Sequence, residues 1–147
     1  MDGGLRAGAV ESRPVCFADI RVGVVVDVLL DGELRRVLGF DVLYGDRAHR
    51  YLPLAACEIL EHSIAVPSAL VLMLQELDFY RQRARALTAV RGFPARRGGR
   101  TLGNVVDLVF APNGELVELV VETEGGQRAA EAVRGLVVGP DALRPAV

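Results

Sequence analysis

Two aspartates, Asp27 and Asp107, stand 80 positions apart in closely similar settings, Gly23-Val24-Val25-Val26-Asp27 and Gly103-Asn104-Val105-Val106-Asp107. A carboxylate pair can share acid/base work when one member is protonated and the other ionised. Each of these, however, sits in a run of apolar residues. There a carboxylate more often pairs with an arginine or accepts hydrogen bonds from a turn. A metal would need further oxygen or nitrogen ligands nearby, and none stands out. His49 and His62 lie in neither an H-E-x-x-H nor an H-x-x-E-H frame and read as surface or strand-end residues. Ser12, Ser63 and Ser68 lack the G-x-S-x-G elbow of a hydrolase. Cys16 and Cys57 have no metal-ligand spacing and read as buried free thiols in a reducing compartment, a disulfide being the alternative. All 17 basic residues are arginine, so lysine chemistry is excluded. The glycines of Gly98-Gly99-Arg100-Thr101-Leu102-Gly103 invite a phosphate-loop reading, but such a loop must open a helix, and a β-rich run follows here. Gly23 and Gly103 are therefore expected at turns or bulges, and Gly32 and Gly114 in turns. No catalytic residue, metal ligand or cofactor site is nominated; the expectation is a protein that is not an enzyme.

The elements that carry these residues occur twice. Shifted by 80, residues 9–30 lie over 89–110 without a gap, and seven positions are identical: 9/89, 10/90, 14/94, 23/103, 25/105, 26/106 and 27/107. With two residues inserted, Gly32-Glu33-Leu34 falls on Gly114-Glu115-Leu116; later Pro67-Ser68-Ala69-Leu70 falls on Pro140-Asp141-Ala142-Leu143. A match running through strand, turn and closing segment indicates two copies of one folding unit. Strands are expected over 20–30, 33–44 and 49–54, near Ile59 and over 64–66, then over 102–110, 115–122 and 136–138. Asp31-Gly32 reads as a tight hairpin turn, and Gly45-Asp46, Pro112-Asn113-Gly114 and Gly125-Gly126 as further turns. By period-two alternation, Val22, Val24, Val26, Val28 and Leu30 share one inward face, matched by Leu102, Val106, Leu108 and Phe110. The opposite face is also apolar, with Val25, Leu29, Val105 and Val109, and with Val37, Leu119 and Val121 on the partner strands. A wet face would be more polar, so packing between the copies is expected. Residues 68–85 hold good helix formers, with Leu70, Leu74, Leu77 and Arg81 at helical spacing, and read as a helical linker.

The chain has 147 residues, 51% of them hydrophobic, which excludes a disordered protein. Copies of roughly 60 residues are near the lower limit of independent stability. Each should lean on the other or on a second chain, so a homodimer is expected. The net charge of −2 provides no global field for nucleic acid or membrane. The longest apolar stretch, 64–74, is too short to span a bilayer, and no secretory h-region opens the chain, so a cytoplasmic protein is expected.

Charge is segregated locally. Arg81, Arg83, Arg85, Arg91, Arg96, Arg97 and Arg100 lie in a stretch without an acidic residue. Glu115, Glu118, Glu122, Glu124 and Glu131 follow, with Arg128 the only cation among them. The strip could contact RNA or another anionic partner. The heavier reading is that the arginines cover apolar stems and pair with the acidic strands. Arg36, taken as the counterpart of Glu118, adds opposite charges at equivalent sites, as a pseudo-twofold contact could use.

Gly92-Phe93-Pro94, Gly99-Arg100-Thr101-Leu102-Gly103-Asn104-Val105-Val106-Asp107 and Asn113-Gly114-Glu115-Leu116 resemble the PRC-barrel family. The first copy carries a thinner version in Pro14-Val15, Val22-Gly23-Val24-Val25-Val26-Asp27, Asp31-Gly32-Glu33-Leu34 and Leu52-Pro53-Leu54; it has Ala18–Arg21 in place of the Gly-Arg pair. The resemblance covers about four-fifths of the chain. It implies a mainly β protein of two tandem small PRC-like β-barrels, residues 9–67 and 86–147, joined by a short helical linker over 68–85. The family occurs in the cytoplasmic part of the photosynthetic reaction-centre H subunit and at the C-terminus of a ribosome-maturation factor, which implies a docking module. Neither the membrane helix of the one nor the N-terminal domain of the other is expected from these residues, so neither specific role is carried over. The expected function is protein interaction or scaffolding, through an apolar surface including Leu70, Leu74, Leu77, Val37, Leu119 and Val121. The alternative is an RNA- or ribosome-associated module using the arginine strip.

Overall fold

A computed structural model describes residues 4–68, 82–131 and 136–138 of the chain, which is mainly β with curled sheets. The first sheet holds β2 (Pro14–Phe17), β3 (Ile20–Leu30), β4 (Val37–Tyr44), β5 (His49–Pro53), β6 (Glu58–Ile59) and β7 (Ile64–Ala65), in the order β5-β4-β3-β2-β7-β6. The second holds β9 (Pro94–Arg97), β10 (Arg100–Phe110), β11 (Leu116–Thr123), β12 (Gly126–Glu131) and β13 (Leu136–Val138), in the order β12-β11-β10-β9-β13. Two short arms complete them: β1 (Leu5–Arg6) pairs with β10, and β8 (Arg85–Ala86) pairs with β3.

The repeat read from the sequence is a repeat of register. Val15 opposes Gly23 as Ala95 opposes Gly103, and Val28 opposes Phe40 as Leu108 opposes Leu119. Bulges fall between Val25 and Asp27 and between Val105 and Asp107, again 80 positions apart. These bulges correct the expected inward face. Before the bulge Val25 and Val105 point into the core; after it the phase flips, and Val28, Leu30, Leu108 and Phe110 are buried. Val22, Val24, Val26 and Val106 are only half-buried.

Loop lengths also depart from the expected alignment. Leu30 pairs with Val37 and Phe110 with Leu116, so the first loop is one residue longer and nothing is inserted in the second. Gly32 is thus not the counterpart of Gly114, and the return strand starts at Val37 rather than at residue 33. The Asp31 carboxylate accepts from the Arg35 and Arg36 amides at 2.6 and 3.0 Å, making a wider turn than a two-residue hairpin. Gly114 has φ +92, and a Cβ there would meet the Val37 carbonyl at 2.7 Å. The closing strands differ too: β7 runs parallel to β2, whereas β13 runs antiparallel to β9.

One apolar cluster joins the two sheets, with Val28, Leu30, Phe40 and Leu52 from the first and Leu108, Phe110, Leu119 and Val121 from the second. Val37, Leu119 and Val121 are each at most 2% exposed within it. This corrects the expectation that they form an outward docking surface: the second apolar face is used up inside the chain. Leu29 is covered separately, with Tyr51, beneath Ala84 and Ala86 of the β8 arm. Leu70, Leu74, Leu77 and Arg81 lie outside the described residues. Of the expected 68–85 helix, Gln82 and Arg83 are helical, but Arg85 already belongs to β8. No helix among the described residues is long and apolar enough to cross a membrane.

Candidate functional site

Asp27 and Asp107 follow the bulges, where the kinked strand turns its next side chain toward the arm from the other repeat. The Asp107 carboxylate accepts from the Gly8 amide at 2.8 Å, from its neighbour Leu108 at 2.8 Å and from Arg6 Nε at 3.0 Å. Asp27 accepts from the Val28 amide at 2.9 Å, from the Thr88 amide at 3.2 Å and from the Thr88 hydroxyl at 2.5 Å. Gly8 and Thr88 are themselves 80 positions apart. Both aspartates thus bind the opposite repeat's helical turn, residues Ala7–Ala9 for Asp107 and Leu87–Val90 for Asp27. Three of the roughly four acceptor sites of each carboxylate are thus taken up by the chain itself, which gives both aspartates a structural task.

Between these turns Glu11 meets Arg91, again 80 apart, with Oε1 and Nη2 2.5 Å from each other. Arg91 also donates to the Val106 carbonyl at 3.2 Å, and its bond to Glu11 holds the guanidinium pKa above its ordinary value. At the other end of the contact Arg36 and Glu115 form a β-bridge, flanked by Val37 N–H to Gly114 O at 2.7 Å and Leu116 N–H to Arg35 O at 2.8 Å. Allowing for the one-residue loop difference, these too are equivalent positions. Arg36 therefore faces its true counterpart, Glu115, and the position equivalent to Glu118 is Gly39, not Arg36.

Much of the arginine strip is engaged within the chain. Arg85 donates to the Val138 carbonyl at 2.7 Å, Arg91 to Glu11, and Arg96 to the Gly99 carbonyl at 2.9 Å. Arg97 is half-buried, while Arg83 and Arg100 are exposed. Arg97 and Arg100 stand opposite each other across the turn at Gly98-Gly99.

Gly23 and Gly103 serve close packing. A Cβ on Gly23 would lie 2.8 Å from the Leu43 carbonyl, and one on Gly103, at φ +142, 2.7 Å from the Glu122 carbonyl. Neither opens a helix. Cys16 and Cys57 are both free, and burial pushes the Cys57 thiol up to about 12, which makes it a poor nucleophile.

Sequence reasoning missed two features. The buried Asp41 carboxylate lies 2.8 Å from His49 Nδ1, an acid–imidazole pair with no equivalent in the second repeat, where Val120 and Gln127 take the places. The only hint was an aspartate in an otherwise apolar strand. The other feature is a cleft of about 520 Å³ where the repeats meet. Leu5, Leu54, Ile59, Leu60, Phe110 and Pro112 are among the residues that line it. Arg13 shapes it by donating to the Leu60 carbonyl at 2.7 Å. Its size suits a ligand or an inserted side-chain cluster, and clefts between packed units are common binding places. Among the described residues no group of three His, Cys, Asp or Glu side chains could hold a metal ion.

No protein-family model matches the chain, and no curated protein matches it either.

Proposed function

We propose that this chain is a non-enzymatic, cytoplasmic protein-interaction or scaffold module, built from two PRC-barrel units joined by a helical linker and acting as a homodimer. One observation carries this reading. The side chains that recur at equivalent positions and could do chemistry, Asp27 and Asp107, are engaged in bonds between the repeats, while the cleft where the repeats meet is open and mainly apolar. A site that leaves apolar surface free and polar groups satisfied is suited to burying a partner's apolar side chains. The matched registers support descent from one β module, and the glycine spacing supports the PRC-barrel kinship.

RNA or ribosome association is the second reading. It draws on the hairpin tip where Arg97 and Arg100 oppose each other, a local concentration of positive charge. One experiment separates the two. Leu60 is 42% exposed at the cleft, so Leu60→Glu charges the site without disturbing the core. Protein capture from native lysate should fall sharply with Leu60→Glu and persist with Arg100→Glu. RNA binding predicts the reverse, with affinity falling steeply as salt rises. Capture unchanged by Leu60→Glu would remove the cleft from the proposal, and light scattering that finds only monomer at every concentration would remove the homodimer.

A further inference from the structure

The face each repeat shows the other is self-complementary in position but not in charge. Under the 80-residue shift, β1 on β10 and β8 on β3 are one contact made twice: Leu5 opposes Phe110 as Arg85 opposes Leu30, and Arg6 opposes Val109 as Ala86 opposes Leu29. Each repeat lends its arm to the other's sheet. Where equivalent positions meet on the axis relating the repeats, their charges are opposite, Glu11 with Arg91 and Arg36 with Glu115.

Two first repeats facing each other would set Glu11 against Glu11 and Arg36 against Arg36. Two second repeats would set Arg91 against Arg91 and Glu115 against Glu115. Like charges at those places discriminate against both pairings. A first repeat therefore fits a second repeat, and nothing in the contacts described requires that both belong to one chain.

We propose that this face also takes a second copy of the chain. The first repeat of one protomer closes on the second repeat of its partner, and the reverse, in a closed twofold dimer with exchanged arms. Both assemblies make the same contacts, so the balance between them is set by chain concentration against the effective concentration of the tethered repeats. Exchange of identical elements is a low-cost route to such dimers. Exchange therefore becomes appreciable as the chain concentration approaches the effective concentration that the tether imposes. This inference rests on the homodimer reading and specifies its interface.

The test mixes two variants with complementary charges. A Glu11→Arg chain has Arg against Arg when its own repeats pair, and an Arg91→Glu chain has Glu against Glu. Exchanged between the two chains, both axial contacts become Glu against Arg. Differently tagged variants are mixed, concentrated, warmed briefly to open the repeats, cooled, and separated by size exclusion with light scattering. The expected result is a heterodimer enriched at least tenfold over the same protocol applied to differently tagged wild-type chains. Dimers that form with no preference for the complementary pair would overturn the exchange while leaving a homodimer through another surface. Monomer alone in every sample, wild type included, would overturn both.

Should a charge variant fail to fold, Arg36→Cys with Glu115→Cys keeps the question open to decision. The flanking amide-to-carbonyl bonds make 36 and 115 a non-hydrogen-bonded cross-strand pair. Their Cα atoms are about 4.5 Å apart in that geometry, within disulfide range. With Cys16→Ser and Cys57→Ser in the background, the oxidised dimer fraction should run as a covalent dimer on a non-reducing denaturing gel. A dimer fraction that yields only internally linked monomers would refute the exchange.

Discussion

The two aspartate sites solve one geometric problem with different side chains. At Asp107 the arm supplies Arg6 and a bare amide at Gly8; a Cβ on Gly8 would crowd Asp107 Oδ2 at 2.7 Å. At Asp27 the equivalent arm has Ala86 where Arg6 stood and Thr88 where Gly8 stood, and the threonine hydroxyl takes the place of the guanidinium on the second carboxylate oxygen. A residue gained at one position is matched by a residue lost two places away. What the repeats share is backbone register and a carboxylate after a bulge; the donors can change provided both oxygens stay satisfied. That is the behaviour of a structural joint, where the total of hydrogen bonds matters and the identity of the donor does not.

If register is the shared property, the glycines that permit it should matter most. Gly103→Ala places a Cβ against the Glu122 carbonyl, within 3.0 Å of Thr123 Cγ2, at φ +142. Backbone strain and overpacking add, and a loss of about 3 kcal/mol is expected. Gly23→Ala meets Val42 Cγ1 at 2.7 Å and the Leu43 carbonyl at 2.8 Å but carries no φ penalty, so about 2 kcal/mol is expected. Denaturant unfolding of both variants checks the ranking. Equal losses would mean that backbone conformation contributes nothing at Gly103.

The joints come next. Asp107 is 7% exposed, and Asp107→Ala would strand the Gly8 amide and leave the Arg6 guanidinium without its carboxylate, for about 2 kcal/mol. Asp27→Ala would free a Thr88 hydroxyl that is exposed and can turn to water, for about 1 kcal/mol. The sharper comparison is a cycle: Arg6→Ala should have a measurable effect with Asp107 present and almost none with Asp107→Ala. An unchanged Arg6→Ala effect would dissolve the joint on that side.

These joints were only half legible in the sequence. The valine runs at 20–30 and 102–110, the turn at 112–114 and the matched pairs 23/103 and 27/107 were readable because each has a local signature. The bulges beside Gly23 and Gly103 were signalled by those glycines, but the ones at Val26 and Val106 were not: an extra valine in a valine run has no local mark, although it reverses the phase of the strand. The arms were also hidden, because a two-residue strand that pairs with a strand far along the chain has no periodicity of its own. Opposite charge at equivalent positions was recognised as meaningful, but a loop misjudged by three residues attached it to Glu118 instead of Glu115. Glu11 and Arg91 were already aligned by the ungapped shift and carried the same signal.

The smallest difference between the repeats is at the hairpin tips, and it separates backbone from chemistry most cleanly. Gly98-Gly99 turns at φ +57 and +81, conformations that suit glycine. Ala18-Asp19 makes the equivalent turn at φ +47 and +67, where a Cβ is disfavoured. The strands on either side must therefore hold the first tip in shape, through Phe17 opposite Ile20 and the pairing of Cys16 with Arg21. Ala18→Gly relieves the steric term but loosens the unfolded chain, so a net gain of about 0.5 kcal/mol is expected. Gly98→Ala should lose about 1 kcal/mol, since strain and entropy no longer offset in its favour. Thermal unfolding of the two variants should shift in opposite directions. If both lose stability, the first tip is shaped by contacts that favour alanine itself, and the two hairpins are alike in outline only.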